Sequence, residues 1–146
     1  MFEKYFEFKF NLISINENFV DLIFTEKTRN KGLFYNLDHK IVGETISSKI
    51  SRIYNILNKN NADSIFVSAP ENVAWLLNIR GGDNPNSPMP NARIIMDKNK
   101  KIYFFSDIKK IKRIKNKINY KKINFFSFND FYSVLSNLNS KHFVID

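Results

Sequence analysis

The sequence predicts an α/β fold: a mixed, open sheet with helices on both faces, in three α/β/α layers. Three observations predict it. Short apolar runs of strand length alternate with segments of helical period. Two of those runs, 93–96 and 102–105, flank Asp97-Lys98-Asn99-Lys100, a hairpin turn by composition, so the sheet is mixed rather than purely parallel. The chain has 146 residues, 43% of them hydrophobic, which suits one domain with a real core.

Taken in order, Phe6, Phe8, Phe10 and Leu12 alternate with Glu7, Lys9 and Asn11, the period of a half-buried strand. Residues 25–40 are polar, contain Gly32, show no clear period and read as a linker. From Thr45 the pattern turns helical. Ile46, Ile50, Ile53, Ile56 and Leu57 recur at three and four, and Asn60-Asn61 end the helix. Residues 64–67 are a buried strand. Ser68 with Glu71 three later is a capping-box pattern for a short helix, and Pro70 suits its first turn. Val73, Leu76 and Leu77 share one face of that helix, while Trp75 points nearly opposite with Glu71 and Asn78. A long loop follows with Arg80, Gly81-Gly82, Asp83, Pro85, Pro88 and Pro90, and loops of this length are usually functional.

After the hairpin, residues 107–117 form a basic amphipathic helix. Ile108, Ile111, Ile114 and Ile118 take one side, and Lys109, Lys110, Lys112, Arg113 and Lys117 the rest. Residues 123–126 are another strand. Ser127 with Asp130 caps a last helix through Leu138, whose apolar face is Phe131, Val134, Leu135 and Leu138. Residues 143–145 are the final strand.

The net charge is +9, with a pI near 9.7. Lys, Asn and Ile are over-used along the whole chain, and no recognition motif accompanies the charge. It therefore reads as compositional, and no nucleic-acid partner is expected. The alternative is a small basic module for nucleic acid or an anionic surface. Tyr103, Phe104, Tyr120, Phe125 and Phe126 would then stack bases, but they lie on predicted strands, where they build a core. The lysines of 107–117 read as a solvated face. There is no cysteine, so disulfides and thiolate metal sites are excluded. No signal-peptide pattern or apolar run of spanning length is present, so a cytoplasmic protein without a membrane partner is expected. Gly81-Gly82 is not a phosphate loop, because no Gly-Lys-Ser/Thr follows and a helix precedes it.

The residues from Ala74 through Trp75-Leu76-Leu77-Asn78-Ile79-Arg80 to Gly81, with Asp83, Pro85, Ser87 and Pro88 behind them, carry a resemblance. They closely resemble the signature of the middle domain of Xaa-Pro aminopeptidases, in the creatinase/prolidase superfamily. Asn18-Phe19-Val20-Asp21-Leu22-Ile23-Phe24 resembles the end of that family's first domain. His39 to Lys49, with Gly43-Glu44 and Lys49, resembles the opening of its middle domain. Phe24 stands for a usual Trp, Val42 for a common aromatic, and Gly82 at a position the family varies. The resemblance implies that 1–24 are the tail of a preceding domain, 25–42 a linker and 43–146 the middle domain, an α/β/α layer.

The resemblance also implies an activity. The family is expected to release an N-terminal residue linked to proline. It uses a pita-bread catalytic domain whose carboxylates and histidines bind two divalent metals, usually manganese. That domain is expected to lie outside this chain. The histidines here are His39 and His142, and neither has an acid or histidine at i+3 or i+4. The chain is therefore expected to be catalytically silent, with no catalytic or metal residue and no cofactor of its own. It would act as scaffold, subunit contact and access control. Expected partners are a separately encoded catalytic domain and a second copy, with short X-Pro peptides only when the catalytic domain is present. Two readings of the loop stay open. In one, Trp75 fills the core, Arg80 pairs with Asp83 and the prolines stiffen the turn. In the other, Trp75, Asn78, Arg80, Asp83 and Pro88 form an interface.

Overall fold

The structure, a computed structural model, describes residues 32–84 and 86–146 together with Phe19 and Ile23. The strand expected over 6–12, Pro85 and the remainder of the 18–24 stretch lie outside the described residues. In chain order the elements are β1 (Tyr35–Asn36), α1 (His39–Val42), α2 (Ile46–Lys59), β2 (Ser64–Val67), α3 (Pro70–Leu77), β3 (Ile79–Arg80), β4 (Ala92–Asp97), β5 (Ile102–Ser106), α4 (Ile108–Ile114), β6 (Ile123–Phe126), a 3-10 turn (Phe128–Asp130), α5 (Phe131–Ser136) and β7 (Phe143–Ile145).

Five strands pair in the order β6-β5-β4-β2-β7. β4 runs antiparallel to both β2 and β5, whereas β6 and β7 pair parallel to their neighbours. The sheet is mixed, as the hairpin signal requires. Register then decides what each face carries, because side chains alternate along a strand. Ile65 lies opposite Met96 and Val67 opposite Ile94, which in turn faces Phe104. These residues belong to the main core, together with Ile46, Ile50 and Leu57 of α2, Val73, Leu76 and Leu77 of α3, and Ile111 and Ile114 of α4. The other face carries Phe66 opposite Ile95, and Phe105 opposite Phe126. Phe131 of α5 packs there, its ring 5.4 Å from Phe66 and 5.2 Å from Phe105. Helices thus cover both faces, three on one side and the short α5 on the other.

Several expectations change in detail. Ile56 is 51% exposed, since the face set by Ile46, Ile50 and Leu57 turns away from it. The basic helix stops at Ile114. A turn, in which the Lys117 and Ile118 amides donate to the Ile114 carbonyl, still delivers Ile118 to the core. The last helix begins as the 3-10 turn. Ser127 and Asp130 form the anticipated capping box on that turn, and the α-helix ends at Ser136 rather than Leu138.

The segment read as a linker contributes structure at its described end. Phe34 is buried and meets Phe104 edge-on at 6.5 Å. Tyr35–Asn36 pair antiparallel with Ile79–Arg80. A two-residue strand leaves no period to read in a sequence. No helix among the described residues is long and apolar enough to cross a membrane.

Candidate functional site around Trp75

α3 is built as its spacing dictates. Val73, Leu76 and Leu77 are buried, and Pro70 opens the first turn. The Ser68–Glu71 capping box does not form: the N-cap is Ala69, with no side-chain cap bond. The Asp146 carboxylate replaces it. It accepts from the Ser68 amide at 2.7 Å, the Ala69 amide at 3.3 Å and Asn72 Nδ2 at 2.7 Å. A carboxylate here satisfies amides that a helix N-terminus leaves open and suits the helix dipole. Burial pushes the Asp146 carboxyl up, but the hydrogen bonds from Asn72, Ser68 and Ala69 outweigh it and hold it below its ordinary value.

Asn78 ends the helix in the left-handed conformation, φ 53° and ψ 36°, which asparagine tolerates better than most residues. It is 3% exposed and so does not share an outer face with Trp75, contrary to the helical projection. The turn carries it inward. Its Oδ1 accepts from Lys49 Nζ at 2.6 Å, and its Nδ2 donates to the Glu44 carbonyl at 3.0 Å. Its own carbonyl accepts from the Leu37 amide at 2.8 Å, beside the β1–β3 pairing.

Lys49 is the unanticipated centre of this arrangement. It is 2% exposed, on the face of α2 between Ile46 and Ile50. Its ammonium donates to the Trp75 carbonyl at 2.6 Å as well as to Asn78. Burial lowers its pKa; Glu44 opposes this, while Arg80 and Arg52 add to it. Charge-assisted bonds to two neutral acceptors offset part of the cost of burying the ion. Glu44 is occupied nearby, accepting from Ser48 Oγ at 2.7 Å and Arg52 Nη2 at 2.9 Å.

Trp75 is 42% exposed, so it does not fill the core. Lys49 Nζ lies 4.8 Å and the Arg52 guanidinium carbon 5.2 Å from its ring centroid, both within cation–π range. The indole is therefore held on a cationic ledge and still reaches solvent. Arg80 does not pair with Asp83. Its Nη1 donates to the carbonyls of Ala74 at 3.2 Å and Ile79 at 2.9 Å, capping the last turn of α3. Asp83 instead forms an ion pair with Lys110 of α4, both side chains 15% exposed. It also accepts from the Asn91 amide at 2.8 Å. Lys110 is thus not part of a solvated face. Pro88 is exposed, and its carbonyl accepts from the Gly81 amide at 3.0 Å. Gly81 is required by space: a Cβ there would sit 2.7 Å from Pro90 Cα and 3.0 Å from the Met89 carbonyl oxygen.

The five candidate residues are thus arranged around one helix and its loop rather than in a single cluster. Trp75, Asn78 and Arg80 are joined through Lys49 and the end of α3. Asp83 and Pro88 fix the loop beyond. Sequence reading missed the Lys49, Lys110 and Asp146 contacts. Lys49 did leave a signal, a lysine at the apolar stripe's own spacing, three after Ile46. Asp146 left none.

Residues 25–146 match the creatinase/prolidase N-terminal domain. The chain is 33% identical over 95 residues to a probable Xaa-Pro aminopeptidase P of Laccaria bicolor, covering 64% of this chain and 15% of that one. It is 30% identical over 128 residues to an Xaa-Pro aminopeptidase of Caenorhabditis elegans, covering 86% and 20%. A crystal structure of X-prolyl aminopeptidase from Caenorhabditis elegans, described as a cytosolic enzyme with a di-nuclear active site, is similar with a TM-score of 0.74 and 27% identity. That match covers 83% of this chain and 20% of that one. The Xaa-Pro dipeptidase of Bacillus anthracis shares the fold, with a TM-score of 0.53 at 11% identity over 70% of this chain and 27% of that one.

The chain spans a fifth or less of the length of these two curated relatives. The residues here do not fit a two-metal centre: among those described, no three His, Cys, Asp or Glu gather to hold an ion. Among the described residues, the acid within ion-pair reach of His39 is Asp38, at 3.4 Å, and that of His142 is Asp63, at 3.8 Å. On the matched family and on this fold, the chain belongs to the creatinase/prolidase N-terminal domain family.

Proposed function

We propose that this domain is a non-catalytic part of a metal-dependent Xaa-Pro aminopeptidase. It serves there as scaffold, subunit contact and access control for a catalytic domain outside these residues. The observation that carries the reading is Trp75: a large indole kept 42% exposed while its helix is locked from beneath by Lys49 and Asn78. A rigid, amphipathic aromatic at a surface is the kind of group that interfaces use as an anchor. The relatives' names supply the activity of the whole assembly, and the cytosolic description of the Caenorhabditis elegans enzyme supports a cytoplasmic setting. Divalent metal, manganese by preference, belongs in this reading to the catalytic domain alone, and a second copy of the chain is a further partner.

The test is peptide turnover. The pure chain with manganese should release no first residue from an X-Pro peptide. A catalytic region of the Caenorhabditis elegans relative, lacking its own equivalent of this domain, should bind the chain and gain turnover. Metal-dependent release by the pure chain, or a catalytic region indifferent to it, overturns the proposal.

A further inference from the structure

The second face of the sheet holds a cavity that the Trp75 reading does not use. Its volume is about 370 Å³, and it is lined by Phe66, Asn91, Arg93, Phe128, Phe131 and Tyr132. Each group has a definite origin. Phe66 on β2 and Arg93 on β4 point to this face by register, away from the face of Ile94 and Val67. Phe128 comes from the 3-10 turn, and Phe131 and Tyr132 open α5. Phe131 is fixed against Phe66 and Phe105, and its ring meets Tyr132 edge-on at 5.7 Å. The result is an aromatic floor with walls that stay open: Phe128 is 36% and Tyr132 81% exposed.

The cation at the rim is the informative group. The Arg93 guanidinium carbon lies 5.9 Å from the Phe128 ring centroid, and among the described residues Nη1 donates to the Ala92 carbonyl alone, at 3.3 Å. Among the described residues no carboxylate is within ion-pair reach of it. Two acids beside the lining residues, one in the 3-10 turn and one whose amide donates to the Phe66 carbonyl, are committed elsewhere. Asp130 accepts from the Ser127 amide at 2.9 Å, and Asp146 caps α3. A guanidinium held over an aromatic ring keeps its remaining donors, in planar fork geometry suited to a carboxylate.

We propose that this cavity binds the C-terminus of a peptide ending in an aromatic residue. The ring lies on the floor made by Phe66 and Phe131, beside Tyr132, and the terminal carboxylate meets Arg93 at the rim. The cavity is at the small end of ligand pockets, about 300–1,000 Å³, which suits one residue rather than a longer segment. The carboxylate supplies the negative charge this rim lacks. The proposal is independent of the role given to Trp75, which lies on α3 and packs toward the opposite face.

The experiment titrates the intact chain with N-acetyl-Ala-Phe and follows amide shifts by NMR. The control ligand is the same peptide with its carboxylate converted to an amide. Saturable shifts confined to Phe66, Asn91, Arg93 and residues 128–132 are expected. Affinity should fall at least about tenfold for the amide ligand and for Arg93→Gln, in keeping with one lost charge-assisted bond. Tyr132→Ser, at a position 81% exposed, should weaken binding as well and guards against a folding defect in the arginine variant. Three results overturn the proposal. They are no saturable shift with the acid, equal binding of the amide, and shifts at these residues that grow with protein concentration alone, which would make the occupant a second copy.

Discussion

Replacing Lys49 by methionine is the sharpest perturbation of the Trp75 site. The substitution keeps most of the buried stem and removes the ammonium. It leaves the Asn78 Oδ1 and Trp75 carbonyl without the donor they share at 2.6 Å each. An abandoned buried acceptor costs about 1–3 kcal/mol. Against this, the ion itself was costly to bury, and an apolar replacement recovers part of that. With two acceptors lost and one desolvated charge removed, the net destabilisation should be about 2 kcal/mol. Lys49→Ala should cost more, because the stem's packing goes too.

Urea unfolding at neutral pH reads this directly, as a lower midpoint with an unchanged slope. The pH dependence gives a second signature. Burial depresses the Lys49 pKa below 10.5 in the folded state, so the unfolded chain holds that proton more tightly. Between the two values the unfolded state carries more protons, and stability rises with pH. Wild type should therefore gain stability relative to Lys49→Met as pH climbs toward 10.5. A methionine variant as stable as wild type at pH 7, or a stability difference that does not change with pH, would refute the account of Lys49 as the ion that locks α3.

Gly81→Ala should destabilise by about 1–3 kcal/mol in thermal unfolding, because the added Cβ meets backbone at Pro90 and Met89 rather than a movable side chain. Asp146→Ala should cost about 0.5–2 kcal/mol and raise hydrogen exchange at the Ser68 and Ala69 amides, since both lose their acceptor. Asp63 is held well below the ordinary carboxylate value of 3.8 by the Lys141 amide, Lys98 and the His142 amide. Its stabilisation is present above that value and lost as pH falls further, so Asp63→Asn should flatten the acid limb of a circular-dichroism titration. Trp75→Ala should cost far less in urea unfolding than Leu77→Ala, for which about 2–5 kcal/mol is expected, because the indole is half exposed and Leu77 is fully buried.

The sheet and its order of elements were legible because their signals are local and repeated. Strands β2, β4, β5, β6 and β7 each carry an apolar run, and Asp97 to Lys100 carry the turn between β4 and β5. α2 announced itself through Ile46, Ile50 and Leu57. What stayed hidden depends on contacts far apart in sequence. Asp146 caps a helix 77 residues away at Ala69. Asp83 chose Lys110 over the nearer Arg80, because the loop folds toward α4 while Arg80 turns back onto the carbonyls of α3. Asn78 looked like an outward residue on a helical wheel, but the wheel stops applying where the backbone turns left-handed. At the site, the exposure of Trp75 was readable from its angle relative to Val73 and Leu76. The lysine beneath it was visible as a family-like residue at the spacing of the apolar stripe, with no hint of the two acceptors it joins.

The central claim is that Trp75 is an anchor presented to a catalytic partner. Trp75 is the single tryptophan in the chain, so fluorotryptophan labelling gives one fluorine resonance that belongs to it alone. Adding the unlabelled catalytic region of the Caenorhabditis elegans relative should shift that resonance and broaden it to the width of the larger complex. A resonance that broadens with the complex but keeps its position would place the contact elsewhere and contradict the claim.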